Sequence, residues 1–416
     1  MLYLVAIYFY LFLHLAIKRF PLAIYLFLAT LPAYLIRFDI GPLPSTLVEV
    51  SFFALALGWL SSVRKKDWQI FKHVIENNKL FFVFLLGILF FSFVGAFTSM
   101  IGAENPMQKL IYGIGEWRAL FLEPILLLII LLTKKQELED KKIIWSLALA
   151  AVFVSIIAII QKFTGLLFPP SLWHAQLFGR VTSVFTTANA IGLFTVPILF
   201  LLFSTLPYKK VLLLVSAFII FLANLFSVSQ GAWIALGAGV LVYIFIRGYK
   251  KIAIGIAILG IIGSFAVPSM RAAILFEDQA GHNRLTIWSH TVSYLIESPK
   301  NFILGTGIRN FFDAIQKPFY DPTKLEALKY PHNIMLNFWT ETGFFGMISI
   351  VGIVISLSIC ISKITDTSKK AALAAALIAL VVHGLVDVPY FKNDLAMLFW
   401  VVAFILLNHT IREKHE

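Results

Sequence analysis

Apolar positions run along the chain in long blocks separated by short polar breaks. A membrane-crossing helix needs about 20 mostly apolar residues. Runs near 2–17, 21–36, 46–63, 79–99, 111–133, 143–163, 186–204, 211–228, 231–247, 252–269, 334–362, 371–389 and 394–411 predict about 12–13 transmembrane helices. The first two runs are short and could be one awkward pair. One long polar excursion, residues 271–333, interrupts the pattern. Within it Leu285, Trp288, Val292 and Leu295 recur at helical spacing until Pro299 stops the run. This predicts an amphipathic helix lying on the membrane surface or on the bundle. Gly305-Thr306-Gly307 reads as a tight turn. Asp321-Pro322 reads as an N-cap followed by proline at the first position of a second short helix. Before the seventh run, 164–185 contains Pro169-Pro170, which forbids helix and predicts a loop. A third outer stretch is the short connection 387–394. The expected fold is an all-α polytopic membrane helix bundle with one large, partly helical outer loop. Residues 1–163 form N-terminal transmembrane helices, and 164–416 form a second region that includes the loop.

Composition agrees with the pattern. The chain is 60% hydrophobic and 13% charged, with a mean hydropathy of +0.88, where soluble domains carry about 25% charged residues. The net charge of +12 would suit nucleic acid, but its distribution argues against that partner. Lysine and arginine gather in alternate short loops, at Lys18-Arg19, Arg64-Lys65-Lys66, Lys134-Lys135, Lys209-Lys210, Lys250-Lys251, Lys369-Lys370 and around Arg412. That is the positive-inside arrangement. It puts those loops and the C-terminus in the cytoplasm and turns 271–333 outward. Cys360 stands alone, which excludes an intramolecular disulfide and a cysteine zinc site. The first run lacks a charged flank and a small-residue cleavage site, so no removable signal peptide is expected. No polar stretch is long enough to bury a separate core.

Three residues could carry chemistry. Arg180 precedes a spanning run, and Arg284 lies in the excursion. A guanidinium is a fixed cation whose planar fork suits phosphate oxygens. The plainer reading of Arg180 is a side chain reaching back to the interface. His332 stands at the start of a long helix, whose positive end disfavours imidazolium. A neutral imidazole can take a proton from a sugar hydroxyl, although a helix-capping histidine would look the same. Glu49, Glu116, Arg118 and Glu123 fall inside apolar runs, where charge is costly. An inter-helix salt bridge near the outer surface accounts for them as well as a site does. His383 and Asp387, four residues apart, could orient each other or pair with the loop.

The order of these pieces resembles the O-antigen ligase and polymerase superfamily of bacterial envelope glycosyltransferases. The matching segments are 180–192, then Ser227-Val228-Ser229-Gln230-Gly231-Ala232-Trp233, Asn283-Arg284-Leu285-Thr286-Ile287-Trp288, Gly305-Thr306-Gly307-Ile308-Arg309-Asn310-Phe311 and Pro331-His332-Asn333, followed by Glu341-Thr342-Gly343-Phe344-Phe345-Gly346. The likeness covers about residues 180–350; the first half is similar only as a string of spanning helices. It implies a catalytic His332 acting as base and a diphosphate held by Arg180 and Arg284. Arg309, His383, Asp387 and Asn333 form a second tier. Gln230 departs from the pattern, since many relatives carry arginine there; Arg309 could supply the missing charge.

The resemblance implies a glycan moved from an undecaprenyl-diphosphate-type lipid donor to a glycan, lipid or protein hydroxyl at the outer face of the cytoplasmic membrane, with inversion. No cofactor is expected. The outer loops contain no Asp-x-Asp pair and no histidine cluster, so the arginines rather than a metal would meet the leaving diphosphate. Scattered carboxylates such as Asp313 and Asp321 remain possible ligands. Ligase, polymerase and protein O-oligosaccharyltransferase stay open. So do a transporter of lipid-linked glycan or a small anion and an assembly scaffold.

Overall fold

The computed structural model describes residues 2–40, 43–168, 179–322 and 326–412. The Pro169-Pro170 loop lies outside the described residues. The chain opens with α1 (Leu2–Lys18) and α2 (Phe20–Ala29), then a 3-10 turn at Leu31–Leu35. A hairpin of β1 (Arg37–Ile40) and β2 (Leu43–Thr46) follows, antiparallel, with Arg37 opposite Thr46. The sequence pattern gave no sign of this hairpin. Then come α3 (Leu47–Ser62), α4 (Lys65–Asn77), α5 (Lys79–Thr98), α6 (Pro106–Trp117), α7 (Glu123–Thr133) and α8 (Asp140–Thr164). The second half holds α9 (Asn189–Phe203), α10 (Lys210–Ser227), α11 (Gln230–Ile246), α12 (Lys250–Ala266), α13 (Pro268–Ile274), α14 (Gln279–Ile296) and α15 (Pro299–Leu304). It closes with α16 (Ile334–Ser362), α17 (Thr367–Gly384) and α18 (Asn393–Arg412).

The protein is an all-α, multi-pass membrane bundle. Among the described residues, five helices are long and apolar enough to cross a membrane, or up to seven if each of two bent pairs counts as one span. Shorter apolar helices, among them α9 and α18, complete the bundle. Helices that are apolar on all sides belong either to lipid or to a protein interior. Here α9 and α18 take the interior: Ile191, Phe194, Ile198 and Leu201 of α9, and Leu398 through Leu407 of α18, are buried. By contrast α12 presents Ile254, Ile258, Leu259, Ile261 and Ile262 outward. A water-facing helix would not carry that surface.

The charges inside apolar runs are paired. Glu49 closes a capping box with Thr46 at the start of α3, and its other oxygen takes the Arg118 Nη2 at 3.0 Å. Arg118 opens a π-helical turn, Arg118–Leu122, between α6 and α7, and its Nε lies 3.1 Å from Glu123. Charge that cannot reach water is tolerated because it is matched.

The excursion is more structured than a bare loop. The expected amphipathic helix is α14, but its buried face is Ile287, Thr291 and Leu295, while Leu285 and Val292 are exposed. Pro299 ends that helix and also begins α15, capped by the Ser298 hydroxyl. Ile287, Phe311 and Ile315 form a small core of their own, with Trp288 and Phe319 against it. The polar stretch therefore does bury a cluster, contrary to the expectation from its length. The short helix expected at Asp321-Pro322 falls largely on 323–325, outside the described residues; 326–328 are irregular, and helical turns occur earlier, at Phe312–Gln316 and Lys317–Phe319.

A break in α16 anchors the excursion. Gly343 has φ 74° and ψ 176°, which interrupts the helical ladder. The freed Thr340 carbonyl accepts the N–H groups of Thr306 at 2.7 Å and Gly307 at 3.1 Å, while Ile308 N donates to Gly95 O of α5 at 3.0 Å. The Thr340 carbonyl thereby finds partners, as burial demands. Gly307 has φ 84°, and a Cβ there would fall 2.3 Å from Ser99 N. Left-handed strain costs about 1–3 kcal/mol before any clash is counted. Gly307→Ala should therefore lower the unfolding midpoint of the detergent-solubilised protein, whereas Gly260→Ala, with open space around it, should not. Equal midpoints for the two variants would refute the anchoring role.

Candidate functional site

The site is built where the excursion rejoins the bundle. Asn333 caps α16, its Oδ1 accepting from Met335 N at 3.0 Å and Leu336 N at 3.1 Å. Its Nδ2 donates to Leu385 O just beyond α17. Asn333 is thus a structural clamp between two helix ends. The preceding His332 sits at φ 53°, in the left-handed region. That backbone costs energy for a non-glycine residue and turns the imidazole back toward the 387–394 connection. Trp288 of α14 donates its indole N–H to Pro331 O at 2.8 Å, fixing the segment from above.

His332 Nδ1 lies 3.3 Å from Asp387 Oδ1. A carboxylate only accepts, so Nδ1 donates in this contact and Nε2 is left outside it. Asp387 is 5% exposed. Its Oδ1 also accepts from Val388 N, and its Oδ2 accepts from Asn189 Nδ2 at 3.1 Å. Asn189, the first residue of α9, in turn accepts from Arg180 Nη2 at 3.1 Å, while Arg180 Nε donates to Ser227 O at the end of α10. A continuous chain therefore runs Arg180–Asn189–Asp387–His332. Its Arg180 end borders a cavity of about 350 Å³ shared with Lys162. Burial alone would raise the Asp387 carboxyl. The hydrogen bond and charge of His332, the charge of His383 and the Val388 N–H outweigh it and hold the group below the usual carboxylate range.

Arg284 is half-buried on α14, one helical turn before Trp288 and on the same face. Its charge is felt at His383, and it has no ion-pair partner among the described residues. His383 is 2% exposed and packs against two glycines: a Cβ on Gly231 would come within 3.1 Å of its Nε2, and one on Gly192 within 3.2 Å of its Cε1. These contacts explain why small residues follow Gln230 and Ile191. The expected mutual orientation of His383 and Asp387 resolves toward the other alternative, since the Asp387 carboxylate bonds the His332 ring of the loop. Arg309 is held elsewhere. It pairs with Glu116 at 3.4 Å and lies 4.9 Å over the Tyr112 ring. Asn189 was missed by sequence reasoning, because an asparagine at the start of an apolar helix ordinarily signals only a cap. No group of three or more metal-ligating side chains occurs among the described residues.

Residues 215–351, about a third of the chain, match the family described as O-antigen ligase. This segment belongs to the O-antigen ligase superfamily. It runs from α10 to the middle of α16 and includes Arg284, Arg309, His332 and Asn333. Arg180, His383 and Asp387 lie outside it and reach it only through the fold. No curated protein matches the chain. The match supports a membrane enzyme of the O-antigen ligase or polymerase type.

Asp387 also gives the site a measurable pH signature. A carboxyl whose folded pKa is depressed stabilises the fold above its unfolded pKa of about 3.9, and that contribution is lost as pH falls toward the folded value. Asp387→Asn should lower the unfolding midpoint near pH 7, with the gap from the parent narrowing on acidification toward about pH 3. A gap independent of pH would mean that the carboxylate charge is not what the network uses.

Proposed function

We propose that the protein transfers a glycan from an undecaprenyl-diphosphate-type lipid donor to an acceptor hydroxyl at the outer face of the cytoplasmic membrane, with the C-terminus in the cytoplasm. The observation that carries this reading is the His332–Asp387 pair, which leaves His332 Nε2 outside that hydrogen bond and is linked through Asn189 to Arg180. In the proposed reaction the acceptor hydroxyl gives its proton to His332 Nε2. Its oxygen attacks the anomeric carbon as the bond to the diphosphate oxygen breaks, inverting that carbon. Asp387 steadies the imidazolium that forms, the role a carboxylate plays behind a histidine base. Arg180, with Nη1 free of hydrogen bonds to described residues, and the unpaired Arg284 take up the charge of the leaving diphosphate. The reaction centre lies in 164–416, and the helices of 1–163 brace it through α5 and Gly95. The acceptor is a lipid, glycan or protein hydroxyl.

Transfer by the purified protein from a lipid-linked oligosaccharide tests the reading. His332→Ala should reduce the rate by about 10²–10⁴-fold, the usual worth of a general base, with insertion unchanged. Arg284→Lys should also impair it, since lysine keeps the charge and loses the fork. Full activity in the His332 variant refutes the base assignment. Translocation of the lipid-linked glycan in proteoliposomes without any product would point to a transporter instead.

A further inference from the structure

A second cavity opens between the start of α6, the turn after α5, and the excursion. Its volume is about 510 Å³, within the range of about 300–1,000 Å³ typical of ligand clefts. Four cations line it, Lys109, Lys300, Arg309 and Lys317, against the acids Glu104 and Asp313. Two of the four are already matched: Lys109 bonds Asp313 and Asn310, and Arg309 pairs with Glu116 behind the wall. Lys300 and Lys317 have no ion-pair partner among the described residues. The remaining lining suits a saccharide. Tyr294 offers a ring face and a hydroxyl and Asn105 an amide, while Tyr112 carries Arg309 on its ring and Gln108 on its hydroxyl, and Asn310 holds Lys109 and Thr306. Arg309 is fixed at φ 60° by the turn that Gly305 and Gly307 anchor to α16.

We infer that this cavity is a subsite for an acidic saccharide, one bearing uronate carboxylates, with Lys300 and Lys317 as its recognition charges. That the saccharide is the acceptor rests on the transferase reading above; the binding itself does not.

Binding is therefore measured without turnover, on detergent-purified His332→Ala protein by calorimetry. The probes are a galacturonate tetrasaccharide and a neutral glucose tetrasaccharide. The galacturonate should bind, more weakly at higher ionic strength, and the neutral probe should bind roughly tenfold less tightly or not at all. Adding Lys300→Gln and Lys317→Gln should remove the preference, and Lys300→Arg with Lys317→Arg should keep it, all variants eluting as the parent does. Equal binding of both probes, binding of neither, or a preference that survives the glutamine pair overturns the subsite. A subsite that binds while the parent protein transfers nothing would instead overturn the transferase reading alone.

Discussion

The carboxylate of Asp387 is the point from which the outer end of the bundle is organised. It is almost wholly buried, so it persists as an anion only because partners surround it: the His332 ring, the Asn189 amide and the Val388 N–H. Those partners come from the end of the excursion, the start of α9 and the connection into α18. One buried charge thereby fixes three segments far apart in sequence. Removing a partner would leave an uncompensated ion, which costs far more than the pair contributes in place. The same economy governs the Arg118 cluster below, where Glu49 and Glu123 share one guanidinium.

Backbone irregularity occurs beside this anion and elsewhere in the fold. His332 and Arg309 hold left-handed backbone, and Gly343 breaks the longest helix. At a membrane's edge such departures survive only when freed carbonyls and N–H groups are satisfied internally. The Gly305-Thr306-Gly307 turn does this for Thr340, and Asn333 does it for the start of α16. The left-handed backbone at His332 persists because an imidazole held by a helix cap, a proline and a buried acid cannot relax into a commoner rotamer or backbone state. Rigid placement of this kind is what acid–base and electrostatic catalysis require.

Much of the fold was legible from apolar runs alone. The boundaries of α5, α9, α10, α11 and α16 fall within a few residues of the runs that predict them, because a helix spanning lipid must satisfy its own backbone and cannot stop midway. The β1–β2 hairpin, the bend of 109° between α3 and α4 and the small core around Ile287 and Phe311 escaped. The hairpin strands are only four residues each, too short to show a period, and the small core joins residues distant in sequence. Arg180, Arg284 and His332 were legible as residue types in the right order, and Asn189 was not, because an asparagine at a helix start ordinarily signals only a cap.

The sequence by itself determined that the chain must be a helical membrane protein, which stretch stays polar, and which side chains carry fixed charge or a titratable ring. Those follow from hydrophobicity and from the chemistry of single residues. Only the tertiary structure decided which carboxylate meets His332 and that Arg309 is committed to Glu116. Partner choice depends on distances of a few ångströms between separately encoded segments, and those distances exist only once the helices have packed.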